Sequence, residues 1–130
     1  MQTHAGVGMR ILARADRIVG QRSYLTLAAE IAIGHHEWYD GTGYPHRVAG
    51  SKIPLSARIT AVADVYDALT SARPYKQAWP VAQARAYIAE RRGTQFDPTV
   101  VDSFLRVLES PDWNTPFGVP AEIEPFPSWV

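Results

Sequence analysis

Apolar residues recur at helical spacing along most of this 130-residue chain, and no stretch fits the two-residue period of a strand better than it fits a helix. Over about 5–19, Val7, Ile11, Ile18 and Val19 stand among Arg10, Arg14 and Arg17, an amphipathic pattern thinned by Gly6 and Gly8. Ser23 is positioned to cap a second helix, whose Leu25, Leu27, Ala28, Ile31 and Ala32 make a broad apolar face ending near His35 and His36. Periodicity then lapses. Residues 37–53 contain Gly41, Gly43, Pro45 and Gly50 and read as a loop.

Pro54 stands where a helix begins, because its fixed φ suits the first turn and its missing N–H is not needed there. The third helix runs from Leu55 to about Ser71. One of its stripes is Arg58, Val62, Val65 and Leu69; another is Ala57, Ala61, Asp64 and Ala68. Small side chains let a second helix approach, and a carboxylate buried among them has to be paired or bound to a cation. A fourth helix fits 79–92, stopped by Gly93, with Arg91 and Arg92 suited to the negative helix end. Asp97-Pro98 is an acidic cap followed by proline at the first helical position, and opens a fifth helix through Val100, Val101, Phe104, Leu105 and Leu108. From 110 onward the pattern stops. Five of the ten prolines fall there with Trp113, Phe117, Phe126 and Trp129 between them, so the tail is expected to lie extended across the helices. The whole reads as an all-α bundle of about five helices, 1–109, followed by a Pro/aromatic-rich segment, 110–130.

Composition narrows the chemistry. With 46% hydrophobic and 20% charged residues the chain is ordinary globular material for one domain. Thirteen basic and thirteen acidic residues cancel, so no field draws it to long nucleic acid or an anionic membrane, and phosphate recognition has to be local. The absence of cysteine removes disulfides and thiolate metal sites, leaving imidazole and carboxylate as the good ligands. No apolar run approaches the roughly 20 residues that span a bilayer, and the N-terminus lacks the order of a secretory signal, so the cytoplasm is the expected compartment.

His35 and His36 are adjacent, and on a helix neighbours point about 100° apart. Either the helix ends there and the geometry relaxes, or each imidazole serves a different metal of a cluster. His4 and Asp64 supply further donors. Imidazoles with a carboxylate suit iron, manganese or another divalent transition metal better than magnesium or calcium. In GTGYP, the glycines permit a tight turn or close approach to a ligand, and Tyr44 offers a ring and a hydroxyl; on pattern alone, a tight loop whose tyrosine merely packs fits slightly better. Arg73 and Lys76, three residues apart at a helix exit, suit a phosphodiester or the negative end of the helix.

Taken together, HHEWYDGTGYP, GSKIPLSARITAVADVYDALTSARPYKQAW and GTQFDPTVVDSF closely resemble the HD-GYP family, the branch of HD-superfamily metal phosphohydrolases known for hydrolysing the bacterial second messenger cyclic di-GMP. The likeness runs from about His4 to Leu108. It implies an all-α bundle, a centre of two or three metals, usually iron or manganese, and a cleft for the cyclic dinucleotide, whose phosphodiester is cut by metal-bound hydroxide. By matching position, His4, His35, His36 and Asp64 are implied metal ligands. Glu37, Asp40, Gly41, Gly43, Tyr44 and Pro45 match the signature loop, the last four as substrate-binding residues, and Arg73 and Lys76 match cations facing the phosphates. Trp38-Tyr39 and His46-Arg47-Val48 depart from the family's usual loop, which bears on loop shape.

One departure weighs more. In the family a His-Asp doublet, a downstream lysine and further ligands come from a segment ahead of the MQTH equivalent, and in these 130 residues no His directly precedes an Asp. The chain is therefore expected to be the C-terminal portion of such a domain, with sub-stoichiometric metal and weak or no turnover alone. Exposed apolar helix faces that favour homo-oligomers are expected with it. The alternative is a non-catalytic module that binds cyclic di-GMP or a diguanylate cyclase domain through the GYP loop. An upstream receiver or sensor domain is the other partner the resemblance implies.

Overall fold

Helices form where the helical period runs. A computed structural model of the chain describes residues 7, 9–15 and 24–110; among these, 9–15 are helical (α1), followed by Tyr24–Gly34 (α2), Leu55–Thr70 (α3), Val81–Glu90 (α4) and Pro98–Glu109 (α5), with a single 3₁₀ turn at Gly50–Lys52. No strand occurs among the described residues, only isolated bridges at Arg73–Lys76 and Arg92–Phe96. Ser23, both ends of the first predicted helix and the segment after Ser110 lie outside the described residues. Boundaries differ from expectation by a residue or two. Pro54 caps α3 instead of opening it, and Pro80 does the same for α4.

α3 is the central helix, packing against α2, α4 and α5. Its Ala61 and Val62 meet Ile88 of α4, Val101 of α5 and Phe96 from the connector between them, and all five are buried. Tyr66 sets its ring edge-on to Phe104, centroids 5.1 Å apart, at the margin of this core. Gly93, at φ 84°, turns the connector so that its N–H reaches Phe96 O at 2.8 Å, which delivers Phe96 inward. Truncating Ile88 to alanine is expected to cost about 2–5 kcal/mol, read from the midpoint of urea unfolding.

The start of α3 is fastened twice. Arg58 Nε donates to Ile53 O at 2.9 Å and Nη1 to Asp97 Oδ2 at 2.5 Å. The other oxygen of Asp97 accepts from Thr99 N and Val100 N, the cap expected from Asp97-Pro98. One carboxylate thus joins the first turns of α3 and α5. The two arginines at the end of α4 divide their work. Arg91 donates to Tyr87 O and lies 3.4 Å over the Tyr87 ring, as the helix-end reading anticipates. Arg92 instead forms a two-bond pair with Asp102 of α5, both contacts at 2.7 Å.

α2 crosses α3 at its beginning, where a Cβ added to Gly34 would lie 2.7 Å from Ala57 Cβ and where Ser56 Oγ donates to Glu30 Oε2 at 3.1 Å. The close approach expected along the small-residue stripe is made at Ala57. Asp64 occupies the same face about two turns, roughly 10 Å, further along, beyond that crossing, and it is exposed. The reading of Asp64 as a carboxylate buried between helices is therefore corrected. Between α3 and α5, Leu55, Ile59, Val100, Phe104 and Val107 border an apolar groove of about 330 Å³.

Candidate functional site

The site begins where α2 stops. His35 N still bonds Ile31 O at 3.1 Å, but Gly34 is the last helical residue and the chain turns, so the helical angle between the two imidazoles no longer applies. Their rings meet at 3.9 Å between centroids, just beyond the helix end. His35 Nδ1 lies 2.7 Å from Ile31 O. A carbonyl only accepts, so Nδ1 carries a proton in this contact.

The loop after the imidazoles folds back on them. Tyr44 stacks on His36 at 4.8 Å, and Tyr44 N donates to His36 O at 3.1 Å. Gly43 makes this possible: a Cβ there would stand 2.2 Å from Trp38 N and 2.6 Å from His36 O. At Gly41 the turn needs φ 84°, and its N–H is taken by Trp38 O at 2.8 Å. Both glycines are thus accounted for by the loop's own folding. Pro45 follows Tyr44 through a cis peptide bond. Asp40 Oδ1 accepts from Thr42 Oγ1 at 2.6 Å and Thr42 N at 2.9 Å; the hydroxyl bond, then the backbone one, hold its carboxyl below the usual carboxylate range. Tyr39 N and Asp40 N donate to Gln95 O and Thr94 O, tying the loop to the connector ahead of α5. The segment that reads as a loop is one, fastened by these bonds.

Sequence reasoning placed Glu37 in this loop by resemblance alone and missed its role. It is 3% exposed, and its Oε1 accepts from His46 N at 2.6 Å. Its Oε2 is buried with no hydrogen-bond partner among the described residues. The available signal was an acidic residue beside a proline-containing turn, too common a pairing to single out.

Arg73 and Lys76 close a tight turn on each other, Arg73 N to Lys76 O at 2.8 Å and Lys76 N to Arg73 O at 3.0 Å, with Tyr75 fully exposed at the tip. Lys76 Nζ donates to Ala68 O at 2.7 Å, the helix-end interaction, and lies 5.6 Å over the Trp79 ring. An ammonium has three donors, so two remain. The Arg73 guanidinium is exposed and has no side-chain partner among the described residues.

The structure thus gathers His35, His36, Gly41, Gly43, Tyr44 and Pro45 into one unit, and Arg73 with Lys76 into another. His4 lies outside the described residues. The donor chemistry of two touching imidazoles fits a transition metal. Among the described residues no three His, Asp or Glu side chains form a group able to hold a metal ion, and Asp64 joins no such set.

Comparison with known proteins agrees with the motifs. An HD domain family model matches residues 7–100. The chain belongs to the HD domain family. A Vibrio cholerae protein named cyclic di-GMP phosphodiesterase is 52% identical over 109 residues, covering 84% of this chain and 22% of that protein. A cyclic di-GMP phosphodiesterase response regulator of Xanthomonas campestris is 49% identical, covering 82% of this chain and 27% of its own length. Among solved structures, a cyclic GMP-AMP-specific phosphodiesterase of Vibrio cholerae superposes with a TM-score of 0.61 at 26% identity, covering 78% of this chain and 22% of that one. These likenesses and the signature loop put the chain in the HD-GYP branch, and it spans about a quarter of the length of the curated relatives it matches. No helix among the described residues of this HD domain is long and apolar enough to cross a membrane.

Proposed function

We propose that this HD domain supplies the histidine pair and the tyrosine loop of a metal-dependent phosphodiesterase acting on a cyclic dinucleotide, cyclic di-GMP first. The observation that carries the reading is the stack of Tyr44 on His36 beside His35, held by the loop's own hydrogen bonds. His35 and His36 would hold iron or manganese with donors from outside the described residues, His4 among them; the assignment of Asp64 to that set rests on its motif position. Such a metal supplies Lewis acidity toward a phosphoryl oxygen. Arg73 presents a planar donor fork that matches two oxygens of a phosphodiester, and Lys76 adds a point charge from the same turn.

Calorimetric titration of the chain with cyclic di-GMP in manganese buffer tests the reading, alongside elemental analysis and a hydrolysis assay under reducing conditions. Binding is expected, with Arg73→Ala weakening it about ten- to a hundredfold, the range for a lost charged hydrogen bond. No heat with cyclic di-GMP, or an undiminished Kd for the variant, would sink it. A binding-only module is the second reading. It is supported by the loop's own hydrogen bonds, which hold the Tyr44 ring beside His36; binding that survives a chelator, with no turnover, would select it.

A further inference from the structure

The tyrosine loop is held to the histidine segment on both sides of a residue that cannot help. Pro45 has no N–H, so the hold passes through its neighbours. Tyr44 N reaches His36 O at 3.1 Å, and His46 N reaches Glu37 Oε1 at 2.6 Å. The first bond joins two backbone groups. The second depends on one side chain, ends on a carboxylate, and is the shorter and charge-assisted one.

Glu37 is an expensive way to hold a loop. Its side chain is buried, Oε2 has no hydrogen-bond partner among the described residues, and Oε1 stands 4.0 Å from Nδ1 of the His46 imidazole, which is 60% exposed. A buried carboxylate with one oxygen unpaired costs free energy. The exposed imidazole does not offset that cost, which leaves the His46 N–H as what the carboxylate is there to take. Glu37 is itself anchored by its own N–H to Gly34 O at 3.0 Å, so its reach toward residue 46 is measured from the end of α2, the same origin that places His35 and His36.

We propose that Glu37 is the positioning residue of the tyrosine loop: by taking the His46 N–H, its carboxylate keeps the Tyr44 ring against His36 in the geometry that meets the phosphodiester. The proposal rests on the phosphodiesterase reading for its final clause only. It makes the identity of residue 46 immaterial, since the contact is with backbone. It also makes the acceptor position, not the charge, the property that matters.

Four variants of the whole chain, E37A, E37D, E37Q and H46A, test it with two readouts. The first needs no nucleotide: the ring-current displacement of the His36 imidazole protons by Tyr44 in NMR spectra, with Y44A as the unstacked reference. E37A and E37D should move these protons to the Y44A positions, while the amide carbonyl of E37Q restores them and H46A leaves them in place. The second is calorimetry with cyclic di-GMP, where E37A and E37D should bind about tenfold or more weakly and E37Q and H46A within about threefold of the parent. Unmoved His36 protons in E37A, failure of E37Q to rescue, or loss in H46A would each overturn the proposal. E37A and E37D that both fail to fold would overturn it too, by making Glu37 a residue of the fold. A parent chain that binds no nucleotide defeats the functional reading, while the proton shifts still decide the positioning role.

Discussion

Asp97→Ala is expected to destabilise the chain by about 3–5 kcal/mol, the cost of stranding one member of a buried ion pair. Asp97 is buried and the guanidinium of Arg58 is largely so. The variant leaves Arg58 with its bond to Ile53 O but without its charge partner, and frees the N–H groups of Thr99 and Val100 at the start of α5. Urea unfolding followed by circular dichroism measures it, and a loss under about 1 kcal/mol, the scale of a helix cap alone, would mean that the pair contributes nothing. Asp97→Asn should fall between, since an amide still caps but no longer pairs.

The same carboxylate sets a pH dependence. Burial pushes the Asp97 carboxyl up, but the hydrogen bond from Arg58, those from Thr99 N and Val100 N, and the Arg58 charge together outweigh it and leave the group below its ordinary range. The folded value is depressed, so the contribution is fully present above the unfolded pKa of about 3.9 and is lost as pH falls through the folded value. Stability of the parent should therefore fall on acidification below about pH 4 more steeply than that of Asp97→Asn. Parallel acid titrations of the two chains check this.

Gly43→Ala is expected to abolish the site while sparing the core. Its Cβ would stand 2.2 Å from Trp38 N, 2.6 Å from His36 O and 2.7 Å from Glu37 C, all backbone atoms of the segment that carries the imidazoles. Flexible side chains yield to such an intrusion, whereas backbone yields only by moving the loop. The stability cost is expected at about 1–3 kcal/mol, and cyclic di-GMP binding should fall more than about a hundredfold. Gly50→Ala is the control: at φ 58° it strains the backbone, but nothing lies within 4 Å of the added carbon. It should cost about 1–2 kcal/mol and leave binding nearly intact. Equal loss of binding in both variants would mean that general destabilisation, not loop displacement, was being measured.

Much of the fold was legible because its signals are local. Asp97-Pro98 announces a capped helix whatever surrounds it, and α5 begins there. Pro54 marks the start of α3 to within a residue for the same reason. The stripe of Ala57, Ala61, Asp64 and Ala68 was legible as a face but not as an environment. Whether a face is covered depends on where the next helix crosses, and α2 crosses at Ala57, leaving Asp64 exposed. Arg58 read only as one position in an apolar stripe, because Asp97, thirty-nine residues later, leaves no periodic trace.

By itself the chain's sequence determined the helices, the glycines that bend the loop, the pairing of adjacent imidazoles with a Gly-Tyr-Pro turn, and through these the family. Each depends on backbone preferences and spacings within one element. Only the tertiary structure decided that the two imidazoles touch, that Tyr44 lies on one of them, that Glu37 is buried beneath the turn, and that Lys76 also caps α3 while Arg73 stays exposed. Those outcomes are set by where the end of one helix meets the start of another. Such a meeting is a sum of packing and hydrogen-bond terms between residues distant in sequence, and no local pattern encodes it.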